Sequence, residues 1–136
     1  MIYTWQVYAL INPFSGNPFY VGLTRSLLKN RLSSHISESL KISYDTVSRK
    51  QAEISKIIDG GYLPEIKSIF EFTGTKEEAI AVEMRYIKQY QNDWPELTNS
   101  QNGLYKKSTW PRYMDLPATR KNRIIKFYQI KLLHNY

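Results

Sequence analysis

The strongest constraint on the fold is a pair of strand-like runs around a turn at the start of the chain. "YTWQVYALI" (3–11) is rich in Val, Ile, Trp and Tyr, side chains that suit a pleated, half-buried strand. "NPFSGNP" (12–18) follows with two Asn-Pro pairs and a Gly, all of which favour chain reversal. "FYVGL" (19–23) then forms a second short strand, so residues 3–23 are predicted to make an antiparallel hairpin. An isolated hairpin is at best marginally stable in water, so later segments must cover it.

Those segments read as helices and one more strand. Thr24 or Ser26 can cap a helix on which Leu28, Leu32 and Ile36 recur at four-residue spacing. A second helical stretch runs from Thr46 to Asp59 and stops at Gly60-Gly61. In "EIKSIFEF" (65–72), Ile66, Ser68, Phe70 and Phe72 alternate with Glu65, Lys67, Ile69 and Glu71, which predicts a third strand. Thr75-x-x-Glu78 is a capping box that opens a helix to Tyr90. "NDWPELTNSQNG" (92–103) is a loop, and Thr119 to Leu133 is a last helix. This order predicts a small α+β domain: a three-stranded, mainly antiparallel sheet flanked by helices, with a C-terminal basic helical extension.

A chain of 136 residues suits one core, here residues 1–100, with 101–136 packed on it or continuous with it. No stretch has the apolar length of a membrane helix, and "MIYTWQVYALI" lacks the basic start and cleavage site of a secretory signal. A cytoplasmic protein without a membrane partner is therefore expected. Without cysteine, disulfides, thiolate zinc sites and cysteine nucleophiles are excluded. His35 and His134 are the only histidines, which excludes a multi-histidine metal site.

The net charge of +7 is unevenly distributed. Residues 1–100 carry 11 Lys/Arg and 11 Asp/Glu, which cancel. The surplus lies in 101–136, where Lys106, Lys107, Arg112, Arg120, Lys121, Arg123, Lys126 and Lys131 face Asp115 alone. Such asymmetry suits contact with a polyanion, since each phosphate neutralised releases counterions. It equally suits a solvated basic tail, and both readings stand at this point.

Chemistry-bearing residues stand out against the apolar pattern. On the helix that starts at Thr75, Ile80, Met84 and Ile87 recur at i, i+4 and i+7, and Glu83 falls on the same face. Capping and the helix dipole account for Glu77 and Glu78, but not for Glu83. A carboxylate aimed at a core must be paired, hydrogen-bonded or metal-bound. A salt bridge or a rim position is the alternative. Arg31 and His35 are i, i+4 beside the Leu28/Leu32/Ile36 stripe, a spacing that suits a phosphate or a plain surface pair. Tyr8 and Tyr20 lie on predicted strands, where inward tyrosines need a partner for the hydroxyl.

In order, "QVY" (6–8), "YVG" (20–22), Arg31, His35, Glu83 and Asn99 resemble the GIY-YIG nuclease superfamily. Its members carry "GIY" on the first strand, "YIG" on the second, an Arg often followed by His on the first helix, and a Glu on a later helix. "EMRYIKQY" (83–90) and "LTN" (97–99) are similar to its excision-repair branch. The resemblance covers residues 3–100 and stops before the basic segment. It implies a metal-dependent endonuclease that hydrolyses phosphodiester bonds in DNA, RNA not excluded, as a monomer or homodimer. Tyr8, Tyr20, Arg31, His35 and Glu83 would be catalytic. Glu83 would hold one divalent ion, Mg²⁺ or Mn²⁺, while Arg31 stabilises the phosphate and Tyr8 assists the nucleophilic water. One carboxylate is enough for an ion that keeps its waters and takes substrate phosphate. Lys29, Asn99, Lys106, Lys107, Arg112, Arg120, Lys121 and Arg123 would bind substrate. Two positions depart from the pattern. Gln6 replaces the first motif's Gly, and Arg31 falls eleven residues after Tyr20, so Lys29 or Arg25 could share its role. The alternative is a non-catalytic nucleic-acid-binding module on a degenerate nuclease fold.

Overall fold

The computed structural model describes residues 1–40, 46–100 and 104–106. In chain order its elements are β1 (Tyr3–Ile11), β2 (Pro18–Thr24), α1 (Leu28–Leu40), β3 (Thr46–Ser48), α2 (Arg49–Asp59), β4 (Glu65–Gly74), α3 (Lys76–Asp93), a 3-10 turn (Thr98–Ser100) and β5 (Leu104–Lys106). The hairpin forms as predicted, with Tyr8 opposite Gly22 and Leu10 opposite Tyr20. Its turn is tied by Asn12, whose carbonyl accepts from Gly16 N at 2.8 Å and whose side-chain oxygen accepts from Phe14 N at 2.8 Å. Gly16 takes φ +75°, which a residue with a Cβ rarely adopts.

The three-stranded sheet has the order β2-β1-β4 and is antiparallel throughout. β1 is therefore central and is buried continuously from Val7 to Leu10, because helices cover both faces. On one face Tyr8 and Leu10 pack with Leu32 and Ile36 of α1 and with Ile54, Ile57 and Ile58 of α2. On the other, Val7 and Val21 pack with Leu97 and with Val82, Tyr86, Ile87 and Tyr90. Truncating a fully buried side chain such as Ile36 to Ala would cost about 2–5 kcal/mol.

Several boundaries differ from the sequence reading. Neither Thr24 nor Ser26 caps α1. The Leu27 carbonyl accepts from Asn30 N and Arg31 N, and Thr24 Oγ1 instead takes Ser26 N in the turn before the helix. Residues 46–48 are not helical but form β3, which pairs with β5 in a second, two-stranded sheet. Strands of three residues carry no alternation to read. Ser48 then caps α2 in a capping box with Gln51, much as Thr75 caps α3 with Glu78. The β4 alternation is broken by a bulge: Val7 faces Phe70 and Tyr8 faces Ser68, leaving Ile69 as the extra residue. Ile69 consequently joins the α3-side cluster, and Phe70 is half exposed.

The α3 stripe is also rotated from its predicted place. Ile80 and Met84 are exposed, at 42% and 63%, whereas Ala79, Val82, Tyr86, Ile87 and Tyr90 face the sheet. Bulky tyrosines supply the inward surface that an aliphatic pattern overlooks. Glu83 lies between Val82 and Tyr86 on the inward side and is partly buried. Among the described residues no helix is long and apolar enough to cross a membrane. The expected helix over 119–133 lies outside the described residues.

Candidate active site

Four of the candidate residues meet over one face of the hairpin. Arg31 and His35, one turn apart on α1, both reach the Tyr8 hydroxyl: Arg31 Nε donates to it at 3.0 Å, and His35 Nε2 lies 2.6 Å from it. The Tyr20 ring closes the group, 6.3 Å from the Tyr8 ring and 5.6 Å, edge-on, from His35. Tyr8 and His35 are wholly buried, while Tyr20 and Arg31 are partly exposed and reachable from solvent.

Gly22 makes this packing possible. A Cβ there would overlap the Tyr8 hydroxyl and sit 2.8 Å from Tyr20 Cε2, so the Tyr8 ring lies directly over the Gly22 backbone. The close approach needs a residue with no side chain. Gln6 has no comparable effect on the site. Its amide donates to Glu71 of β4 at 3.1 Å, on the side of β1 away from β2.

Glu83 enters from α3. Its carboxylate makes no hydrogen bond or ion pair among the described residues, and burial raises its proton affinity. Its field reaches the tyrosines. Burial first, and then the charge of Glu83, raises the proton affinity of Tyr20; for Tyr8 the causes are burial and Tyr20, with Glu83 a smaller contribution. His35 moves the other way: burial, Lys50 and Arg31 lower its pKa to about 3, so the imidazole is neutral at physiological pH.

The remaining candidates stand apart from this group. Lys29 is exposed on α1. The Arg25 guanidinium stacks over Tyr3 at 4.1 Å and near Trp5 at 5.5 Å, so the arginine that meets Tyr8 is Arg31. Asn99 uses its side-chain amide on β2, accepting from Val21 N at 2.8 Å and donating to Val21 O at 2.9 Å. Lys106 contributes backbone to β5, and Lys107, Arg112, Arg120, Lys121 and Arg123 lie outside the described residues. One charged neighbour carries no local signal in the sequence. Lys50 of α2 places its ammonium 5.1 Å from the Tyr20 ring centroid. An Arg-Lys pair opening a helix reads as surface charge, and only the packing of α2 on α1 brings it to the site.

A cavity of about 610 Å³ lined by Asn12, Phe19, Arg49, Glu53 and Trp94 lies elsewhere and includes none of the site residues. Among the described residues no group of three or more His, Cys, Asp or Glu side chains could hold a metal ion. A divalent ion would thus be held by the single free carboxylate of Glu83, with water and substrate supplying its other ligands. That donor set fits Mg²⁺.

A buried tyrosine bound by arginine and histidine, within the field of an unpaired glutamate, suits an enzyme acting on phosphate esters. Residues 4–97 match the family model of the GIY-YIG catalytic domain, and the chain belongs to this nuclease family. Nucleases of the family are generally dependent on a divalent metal. No curated protein and no solved structure matches the chain.

Proposed function

We propose that the chain is an endonuclease that hydrolyses phosphodiester bonds in DNA with one Mg²⁺ or Mn²⁺ held by Glu83. The observation that carries this reading is the convergence of Arg31 Nε and His35 Nε2 on the Tyr8 hydroxyl. Hydrolysis needs a water relieved of its proton, a neutralised phosphorane and a stabilised leaving oxygen. A divalent ion held by Glu83 would supply Lewis acidity to the phosphodiester. Arg31 uses Nε on Tyr8, which fixes the guanidinium plane and leaves its terminal N–H groups for the developing charge.

Tyr8 assists the water. Burial opposes both a tyrosinate at Tyr8 and an imidazolium at His35, so in the free protein the proton stays on the phenol. Tyr8 therefore assists the water as a neutral phenol: its hydrogen is held by His35 Nε2, its oxygen orients the water by accepting from it, and solvent takes the water's proton. Donation to Nε2 requires neutral His35 to carry its hydrogen on Nδ1. Tyr20 packs against both partners and holds them in line. Asn99 positions the site by fixing β2 between Tyr20 and Gly22. The basic residues of 101–136 grip the substrate backbone, since residues 1–100 carry no net charge.

The test is nicking of supercoiled plasmid. Cleavage that requires Mg²⁺, vanishes in Glu83→Ala and falls by about 10²–10³-fold in Arg31→Ala supports the reading. Wild-type rates in Glu83→Ala would exclude the metal role. DNA binding without any cleavage by the parent chain would leave the binding-module alternative in its place.

A further inference from the structure

Lys50 is a costly residue for the fold. It lies in the first turn of α2, where the helix dipole disfavours a cation. Its side chain is only 17% exposed, and burial holds its proton affinity below the usual lysine range, with Arg31 adding repulsion. The compensation comes from a loose pair: Glu38 Oε2 lies 3.7 Å from the ammonium on a side chain that is 47% exposed. The face of Tyr20 adds a cation–π contact at 5.1 Å.

What the position gains is proximity to the reacting groups. Tyr20 lies between Lys50 and His35, and the Lys50 charge is felt at the imidazole. Glu38 also acts electrostatically on Arg31, so a single solvent-facing carboxylate serves two cations. Two cations bordering one tyrosine pair, loosely balanced by an exposed carboxylate, form a seat for an anion larger than the one scissile phosphate.

We propose that Lys50 is a further substrate-binding residue: its ammonium receives the backbone phosphate next to the one that Arg31 meets, and Glu38 holds the ammonium until the strand arrives. This rests on the nuclease reading, because the anion is a phosphodiester of the substrate strand. Glu38 is then a placeholder that competes with the substrate. Removing it strengthens binding, whereas removing Lys50 weakens it.

The two variants therefore have opposite expected signs, and the size of the Lys50 effect together with its salt slope separates a direct phosphate contact from a general change of charge. The experiment measures binding of the full chain, carrying Glu83→Gln to prevent cleavage, to a fluorescent DNA duplex over a series of KCl concentrations. Lys50→Met is expected to weaken binding about threefold to tenfold and to reduce the slope of log K against log[salt] by about 1. Lys50→Arg keeps both near the parent, and Glu38→Gln tightens binding about twofold. Thermal unfolding of each variant shows that it is folded. Should Lys50→Met not fold, tighter binding in Glu38→Gln supports the seat and unchanged binding overturns it. Parent-like affinity and slope in folded Lys50→Met also overturn it, and plasmid nicking by the chain with native Glu83 then leaves the nuclease reading intact. No nicking, with the slope change present, overturns the nuclease reading and keeps the phosphate seat.

Discussion

The Tyr8 hydroxyl and His35 Nε2 lie 2.6 Å apart, and both side chains are fully buried. A contact this short between two buried groups works as a unit, so removing either member impairs the other. Tyr8→Phe is expected to lower the cleavage rate by about 10²–10⁴-fold and His35→Phe by a comparable factor. The Tyr8→Phe/His35→Phe double variant is expected to be no slower than Tyr8→Phe alone. Single-turnover rates check this, and multiplicative losses in the double variant would separate the two roles.

His35 also gives stability a defined pH dependence. Its pKa is about 3 in the fold against an ordinary value near 6.5, so between these values the unfolded chain binds a proton that the folded chain refuses. The folded state thus loses stability as pH falls through that window. Glu83 acts in the opposite sense: its raised proton affinity gives stability at low pH that is lost as pH rises through its folded value. The histidine shift is the larger, so urea midpoints are expected to fall from pH 7 to pH 4. His35→Gln should remove about 2–3 kcal/mol of that fall. The same pH slope in the variant and the parent would show that His35 is not its source.

Much of this site was legible in the sequence because its residues sit on regular elements. The four-residue spacing of Arg31 and His35 needs only a helix to put both on one side, and the paired strands then bring Tyr8 under them. The α3 stripe was harder, since Tyr86 and Tyr90 do the inward packing while Ile80 and Met84 face water. Glu83 still fell inward, because it adjoins both candidate stripes. Asn99 stands out only through the family resemblance and Lys50 not at all, for another reason. Their partners, Val21 and Tyr20, are far away in sequence, and no local periodicity encodes such contacts. The β4 bulge was equally hidden, being a property of pairing rather than of one strand.

Gly22 tests how tightly the tyrosines are held. A methyl group there meets the Tyr8 hydroxyl, and it lies 2.5 Å from Tyr8 Cζ, on a ring fixed by packing and by Arg31. Neither obstacle is the loose end of a flexible chain. Gly22→Ala is expected to destabilise the fold by about 1–3 kcal/mol and to slow cleavage by displacing the hydroxyl. An unchanged urea midpoint and rate would show that the rings yield freely.

Asn99 acts through the backbone of β2. β2 is an edge strand, and its outer edge is held from the 3-10 turn: Asn99 bonds both polar groups of Val21, and Thr98 Oγ1 donates to Phe19 O at 2.7 Å. Tyr20 and Gly22 flank Val21, so this clamp sets where the second tyrosine and the close approach fall. Asn99→Ala removes both bonds and is expected to cost about 1–3 kcal/mol. The Val21 amide should exchange faster with solvent while the β1–β4 ladder remains protected. If Asn99 positions rather than touches substrate, kcat falls and KM changes little. A raised KM with Val21 still protected would instead place its amide on the substrate.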